Sequence, residues 1–283
     1  MVPEAISFAF VAGVNPLVGL WTTVLLGFIA AAFGGRAGIC SSASGACAVV
    51  VAALCTSHGP SYLSACAIMA GALQILFGGI LGAGKFIRLV PHPVMLGFVN
   101  GLAVVMARSQ LVHFIDASTG TWFTPSSPAG MAAYGITALT MILVRIIPKL
   151  IPSLPPSLGA VAFTSILAKV MKLPIKTLAD AAGADTFRGG LAVLPKLALP
   201  AVPWLQMETW KIVAPYAITM AAVGSIESLL TMQLLDGIMD DGKRGSTKKE
   251  CMGQGLGNIA SGFTGGIGGC ALLGQSIINV QSG

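Results

Sequence analysis

The sequence predicts an all-α polytopic membrane protein interrupted by two broken half-helices, and three observations carry that prediction. Hydrophobic residues make up 55% of the 283 residues and charged ones only 9%. A soluble domain carries roughly 25% charged residues, so this chain has too few to build a water-facing surface. The apolar runs are each near the roughly 20 residues that span a bilayer as a helix, and the short alternating strands of a membrane β-barrel are absent. Finally, two Gly-, Ser- and Cys-rich stretches break the apolar pattern and resemble each other: GGRAGICSSASG from Gly34 to Gly45 and GGIGGCALLGQS from Gly265 to Ser276. Small polar residues at membrane depth mark helices that stop and restart, and such breaks in corresponding halves point to a binding site.

The elements follow in order. A half-span over residues 3–13 breaks at Val14-Asn15-Pro16, and a second span covers 16–33. After the first interruption a helix runs from Ser44 to Cys55, then a fourth span over 61–83 ends in a basic connection with Lys85 and Arg88. The punctuation Pro91-His92-Pro93 opens a fifth span, 92–114. A sixth, 129–147, is broken by Pro148, Pro152, Pro155 and Pro156 from a seventh, 157–171. Residues 173–205 form a Pro-punctuated connection before an eighth span, 207–235. Residues 240–250 read as a hydrophilic loop, and a weakly apolar ninth helix, 251–263, leads into the second interruption.

The net charge of +6 does not argue for nucleic acid, because the basic residues sit in several short connections, as expected of loops beside anionic lipid. Arg36, Lys85, Arg88, Arg145, Lys149 and the cluster from Lys243 to Lys249 fall on alternate connections, which the positive-inside rule assigns to the cytoplasm. The membrane itself is not specified. The six cysteines show no CxxC spacing and read as small, buried, reduced side chains. Met1 is followed by no basic segment, the first apolar run is too short to span, and the last residues follow a Gly-rich element. Both ends therefore read as cut, and a fragment of a longer protein is expected.

Glu227 is the sharpest single signal. A carboxylate inside an apolar span costs several kcal/mol unless it faces a cavity, pairs or is protonated. Its default role is as a cation ligand or proton carrier, with a structural carboxylate hydrogen-bonded to a neighbouring helix end as the alternative. Thr231, four residues on, shares its helix face, and the two together offer oxygens to a hard cation such as sodium. The half-helices starting near Ser44 and Ala271 would aim unpaired N–H groups and positive dipole ends at the midplane, an anion site without a basic residue. Ser42, Ala43, Gly45, Ala46, Gly269 and Ala271 are small enough to let a ligand approach the backbone, although glycine also serves close helix packing. Glu4 is a candidate for lining the same cavity, or else for a helix-start or interfacial role, and Phe8, four residues later on its face, is core packing by default. Asp236 reads as solvated, Asp240-Asp241 as a lone acidic pair in a charged loop, and His92 and His113 as interfacial.

Four segments carry a family resemblance: VPEAISFAF at Val2–Phe10, GKFIRLVPHPVMLGFVNG at Gly84–Gly101, IESLL at Ile226–Leu230 and GQGLGN at Gly253–Asn258. Together they resemble the SulP family of anion transporters, which includes sulfate permeases, bacterial bicarbonate transporters, and animal relatives such as prestin and pendrin. The resemblance implies two inverted repeats of seven spans, a core and a gate domain, and elevator-like alternating access. It places the anion between the third and tenth spans, whose half-helices match those near Ser44 and Ala271, so Ser44, Gly45, Ala46, Cys270 and Ala271 become the expected substrate-binding residues, with Phe8 as the aromatic of the first span. In members that use sodium, an acidic residue and a threonine of the eighth span bind the ion; these match Glu227 and Thr231, with Ser44 and Gly269 nearby. Many animal members carry an arginine in the tenth half-helix where this chain has Gln275, leaving the anion to dipoles and a bound cation, with Gln275 beside the cavity. The chain then holds nine to ten of fourteen spans, with the remaining spans and the regulatory STAS domain absent, and a homodimer is expected of the full-length protein.

The expected function is secondary active transport of an inorganic anion, sulfate or bicarbonate, coupled to sodium or protons. An anion-binding scaffold or motor without turnover, and a nucleobase transporter of the same broad fold, remain the alternatives. No cofactor beyond sodium is expected. An enzyme is not, since no zinc-ligand spacing, diphosphate motif or nucleophile elbow is present.

Overall fold

The computed structural model describes residues 1–89, 92–111, 114–116, 120–151, 156–175 and 194–281. His113, Pro152, Pro155 and residues 176–193 of the Pro-punctuated connection lie outside the described residues. The helices in chain order are α1 (Val2–Val11), α2 (Pro16–Phe33), α3 (Gly45–His58), α4 (Pro60–Gln74), α5 (His92–Leu111), α6 (Pro128–Leu150), α7 (Pro156–Val170), α8 (Met207–Met239), α9 (Thr247–Phe263) and α10 (Leu273–Gln281). Two short strands, β1 (Ser41–Ala43) and β2 (Gly269–Ala271), lie immediately before α3 and α10. Among the described residues, four helical stretches are long and apolar enough to cross a membrane: Pro16–Phe33, Pro60–Ile80, Pro128–Leu150 and Met207–Met239. Their outward faces are apolar, as at Phe28, 75% exposed, and Leu150, 73% exposed. Lipid is the solvent that tolerates such a surface.

Local chemistry sets the boundaries. Asn15 caps α2 by accepting from the Leu17 N–H at 2.9 Å, with Pro16 at the first helical position. Past Gln74, α4 widens into a π-helical turn, Ile75–Ile80, and the basic connection beyond it is itself a 3-10 turn, Ala83–Leu89. Three expectations are corrected. The proline expected to end the sixth span, Pro148, sits inside the last turn of α6, which runs on to Leu150; the helix continues past it with one intrahelical donor fewer, the one that would have reached the Val144 carbonyl. α8 continues one turn past 235, to Met239. The hydrophilic loop expected over 240–250 ends early, because Ser246 caps a helix from Thr247 by accepting from the Lys249 N–H at 3.3 Å. Glu250, read as loop, is consequently a fully buried residue of α9.

The chain forms two compact units, residues 1–102 with 185–283, and residues 103–184. In the second, α6 packs on α7. There Phe114 stacks on Tyr134 at 5.3 Å, and the Tyr134 hydroxyl donates to the Phe123 carbonyl at 3.0 Å. In the first, α9 packs against α2 and α4, and α8 against α3 and α4. The α4–α9 contact is backbone on backbone: a Cβ on Gly71 would lie 2.4 Å from the Gly255 carbonyl oxygen, and one on Gly255 2.6 Å from that of Gly71. Small residues permit this approach, as in membrane helix pairs generally.

The two interruptions meet in this unit. β1 and β2 pair antiparallel, with Ser41 opposite Ala271, Ser42 opposite Cys270 and Ala43 opposite Gly269. All six strand residues are buried. At 14 residues, α3 rises about 21 Å, short of a hydrocarbon core about 30 Å thick, as a half-helix must.

Candidate functional site

α8 runs unbroken past the strand pair and turns Gly224, Glu227, Ser228 and Thr231 toward one buried side, at the spacing of a single helix face. Glu227 is 5% exposed and Thr231 1%. The Ser44 hydroxyl donates to Glu227 Oε2 at 3.1 Å, and the Cys270 thiol donates to the same oxygen at 2.8 Å. Ser44 is the N-cap of α3 and Cys270 the centre of β2. One carboxylate on the continuous helix thus bonds both interruptions. Ser228 adds a second link, its Oγ accepting from the Ala271 N–H at 3.0 Å.

The donors of the second interruption are largely committed. Gly269 N–H goes to Asn258 Oδ1 at 2.7 Å, Ala271 N–H to Ser228, and Leu272 N–H to the Cys40 carbonyl at 2.9 Å. Ala271 lies in β2 and the half-helix expected there starts two residues later, at Leu273. The first-turn N–H groups of α3 (Gly45, Ala46, Cys47) and those of α10 are the ones helical geometry leaves without an intrahelical acceptor.

The other candidates divide. Glu4 and Gln275 find each other, the Gln275 side-chain amide donating to Glu4 Oε2, with the Met1 ammonium 3.5 Å from the same oxygen. Phe8 is buried on α1, the helix that packs against α3 and β1. Ala46 is half-buried on the second residue of α3. Neither has a polar group to join the cluster around Glu227.

Several residues that hold the site escape a reading of sequence. Glu250, Gln254, Asn258 and Ser261 form a fully buried polar stripe along α9. Glu250 accepts from Gly35 N–H at 2.8 Å and from Gln254 Nε2, also at 2.8 Å. Gln254 donates to Ser41 Oγ, the Asn258 amide bonds the Gly269 backbone and donates to the side-chain Oε1 of Gln74, and Ser261 Oγ donates to Thr22 Oγ1 at 3.1 Å. Spacings of four, four and three put them on one face; that period was the available signal.

At the far end of α8 a second polar cluster ties the first interruption to the α8–α9 turn. Arg36 bonds Asp236 at 3.0 Å and Asp241 at 2.6 Å, and Asp236 also accepts from Gly245 N–H. Asp236, expected to be solvated, and Asp241, expected to be half of a lone acidic pair, are therefore ion-paired. The hydrogen bond to Asp241 raises the Arg36 pKa, and the Arg36 guanidinium in turn holds the Asp241 carboxyl below its ordinary value. All six cysteines are free thiols, five of them buried and Cys40 half-buried.

A polytopic helical chain whose two interruptions pair as strands beside an intramembrane carboxylate defines a class, the broken-helix membrane protein of transporter type. The chain belongs to the Sulfate permease family, whose model matches residues 1–283. It is 36% identical over 283 residues to the putative sulfate transporter YbaR of Bacillus subtilis, covering 100% of this chain and 55% of that protein. It is 29% identical over 300 residues to the bicarbonate transporter BicA of Picosynechococcus sp., covering 99% of this chain and 51% of that one. The chain thus spans about half the length of the curated relatives it matches. Among solved structures, the transmembrane domain of a cyanobacterium bicarbonate transporter BicA superposes with a TM-score of 0.72 at 26% identity, covering 99% of this chain and 73% of that domain. Murine Solute Carrier 26 family member A9 superposes at 0.74, covering 100% of this chain and 51% of that one, and at 14% identity it shows the shared fold alone. The expected membrane class, all-α polytopic fold and SulP kinship stand on these findings.

Proposed function

We propose that the chain is part of the transport domain of a secondary anion transporter carrying sulfate or bicarbonate, coupled to sodium or protons through Glu227. The single observation behind this reading is that Glu227 accepts from Ser44 and Cys270, one residue from each interruption. Similarity to the putative sulfate transporter YbaR and the bicarbonate transporter BicA supports the substrate class.

The anion lies where α3 and α10 begin, among Ser44, Gly45, Ala46, Cys270 and Ala271, with Phe8 from α1 beside it. It accepts from the first-turn N–H groups of the half-helices and is stabilised by their positive dipole ends. The cation sits against Glu227, Thr231, Ser44 and the Gly269 backbone, hard oxygen donors suited to sodium; Glu4 and Gln275 edge the cavity. Loaded cation offsets the Glu227 charge, so the occupied site crosses the membrane interior at lower cost than the empty one. The antiparallel β1–β2 pair, each strand leading into a half-helix, supports an inverted-repeat origin and alternating access. A homodimer of the full-length protein completes the proposal.

Radiolabelled sulfate and bicarbonate uptake by the intact parent protein in proteoliposomes, with sodium and pH varied, tests this. Glu227→Gln is expected to cut uptake by tenfold or more, about 1.4 kcal/mol of lost stabilisation or greater. Unchanged uptake with unchanged sodium and pH dependence would remove Glu227 from the mechanism.

A further inference from the structure

A cavity of about 610 Å³ opens where α8 runs out, lined by Asp236, Asp240, Lys243, Arg244 and Thr247 among others. The transport reading makes no use of it. Two acids and two bases line it, and the excess of positive charge lies on the adjoining first turn of α9. Arg36 already engages Asp236 and Asp241. Lys243 and Arg244, and then Lys248 and Lys249 just beyond, are exposed and make no ion pair among the described residues. Lys248 and Lys249 also stand in the first turn of α9, where the helix end is itself partly positive. Arg36, Lys243, Arg244, Lys248 and Lys249 stand against Asp236, Asp240 and Asp241, a net charge of +2 that favours an anionic ligand.

Depth and neighbouring side chains say which anion. Asp236 lies nine residues beyond Glu227 on α8, about 14 Å along the axis at 1.5 Å per residue. With Glu227 near the midplane, a placement that rests on the proposed transport site, the cavity falls at the edge of a hydrocarbon core about 30 Å thick. On α9, Lys248, Met252 and Leu256 follow at intervals of four on one face. Met252 is 38% and Leu256 39% exposed. A cation at headgroup level above exposed apolar side chains matches a ligand with a phosphate at one end and an acyl chain at the other. Free phosphate would have no use for Met252 and Leu256.

We propose that the cavity at the α8–α9 turn and the adjoining α9 face bind an anionic phospholipid, its phosphate held by Lys243, Arg244 and Lys248 and its acyl chain lying along Met252 and Leu256. The full chain, reconstituted in phosphatidylcholine nanodiscs with a minor fraction of phosphatidylglycerol, is released into detergent, and retained lipid is counted by native mass spectrometry. Wild type is expected to keep phosphatidylglycerol in preference to phosphatidylcholine. At about fivefold per cation, the Lys243→Gln/Arg244→Gln variant loses on the order of twentyfold of that preference. Met252→Ser/Leu256→Ser lowers retention as well, with an unchanged circular dichroism spectrum. Equal retention by wild type and the charge variant overturns the site. Displacement of the lipid by soluble glycerol phosphate, with the Met252/Leu256 variant behaving as wild type, overturns the lipid in favour of a free phosphate ligand. Retention is read without any flux, so failure here and failure of the transport reading are distinguishable.

Discussion

Asn258 completes the edge of β2 at Gly269, its side-chain oxygen accepting from the Gly269 N–H at 2.7 Å and its amide nitrogen donating to the Gly269 carbonyl at 3.1 Å. The same nitrogen donates to Gln74 Oε1 at 2.8 Å. One amide thus does for Gly269 what a third strand would do. Asn258→Leu leaves a buried N–H and two carbonyl oxygens short of a partner. At about 1–3 kcal/mol for each such buried group, a loss of several kcal/mol is expected, read as a lowered thermal midpoint in detergent. A midpoint within error of wild type would mean water or relaxation replaces the amide.

Gly269 and Gly274 separate backbone necessity from mere smallness. A Cβ on Gly269 would lie 2.0 Å from the Ser42 carbonyl oxygen and 2.7 Å from its carbon, both fixed by the β1–β2 ladder. On Gly274 it would meet nothing within 4 Å. Gly269→Ala is therefore expected to part the strands and abolish the folded site, while Gly274→Ala folds as wild type. Gel-filtration yield and thermal midpoint for the two variants, made in parallel, check the contrast.

What was legible in the sequence depended on whether a residue stood out from its surroundings. Glu227 did, because an isolated carboxylate in an apolar run is expensive. The two interruptions did, because glycine and serine break an apolar run visibly. Their register did not: nothing local tells Ser42 that it will face Cys270, and pairing of distant segments is settled by packing. Glu250 and Asn258 were hidden for the opposite reason. Glu250 follows Lys248 and Lys249 and so reads as solvated loop, while Asn258 sits among glycines in a helix of low apolarity. Only the fold shows that their face of α9 is turned inward.

The Arg36 clasp makes its own pH dependence. Asp241 is held below the ordinary aspartate value of 3.8, first by its hydrogen bond to Arg36. A group with a lowered folded-state pKa contributes stability that is complete above its unfolded pKa and is lost as pH falls through the folded one. The clasp is therefore intact at neutral pH and loosens only below about 3.8. Hydrogen exchange of the Gly34–Cys40 loop should accelerate, relative to intrinsic rates, over that acid range. Arg36→Gln should show fast exchange at all pH values. A flat wild-type profile through that range would show that the loop is held by the Gly35 bonds to Glu250 and Ser246 instead.

Ser44 and Cys270 share one oxygen of Glu227, and their chemistry differs in a way that can be measured. A hydroxyl and a thiol both donate, but only the hydroxyl is also a good hard-cation ligand. On the proposed sodium site, Ser44→Ala therefore removes a donor and a cation oxygen together, whereas Cys270→Ala removes a donor alone. Hydrogen bonds to a charged group are worth about 1.5–3 kcal/mol, so each variant is expected to shift anion uptake by tenfold or more in the full-length parent. They part in the cation dependence: Ser44→Ala should raise the sodium concentration needed for half-maximal uptake, and Cys270→Ala should lower uptake with little change in that concentration. Cys270→Ser restores a donor and adds a hard oxygen, so it should recover uptake and lower the sodium requirement. If Ser44→Ala and Cys270→Ala behave alike in sodium, the oxygen of Ser44 is a support for the Glu227 carboxylate and the cation is held elsewhere, with Thr231 the next residue to change.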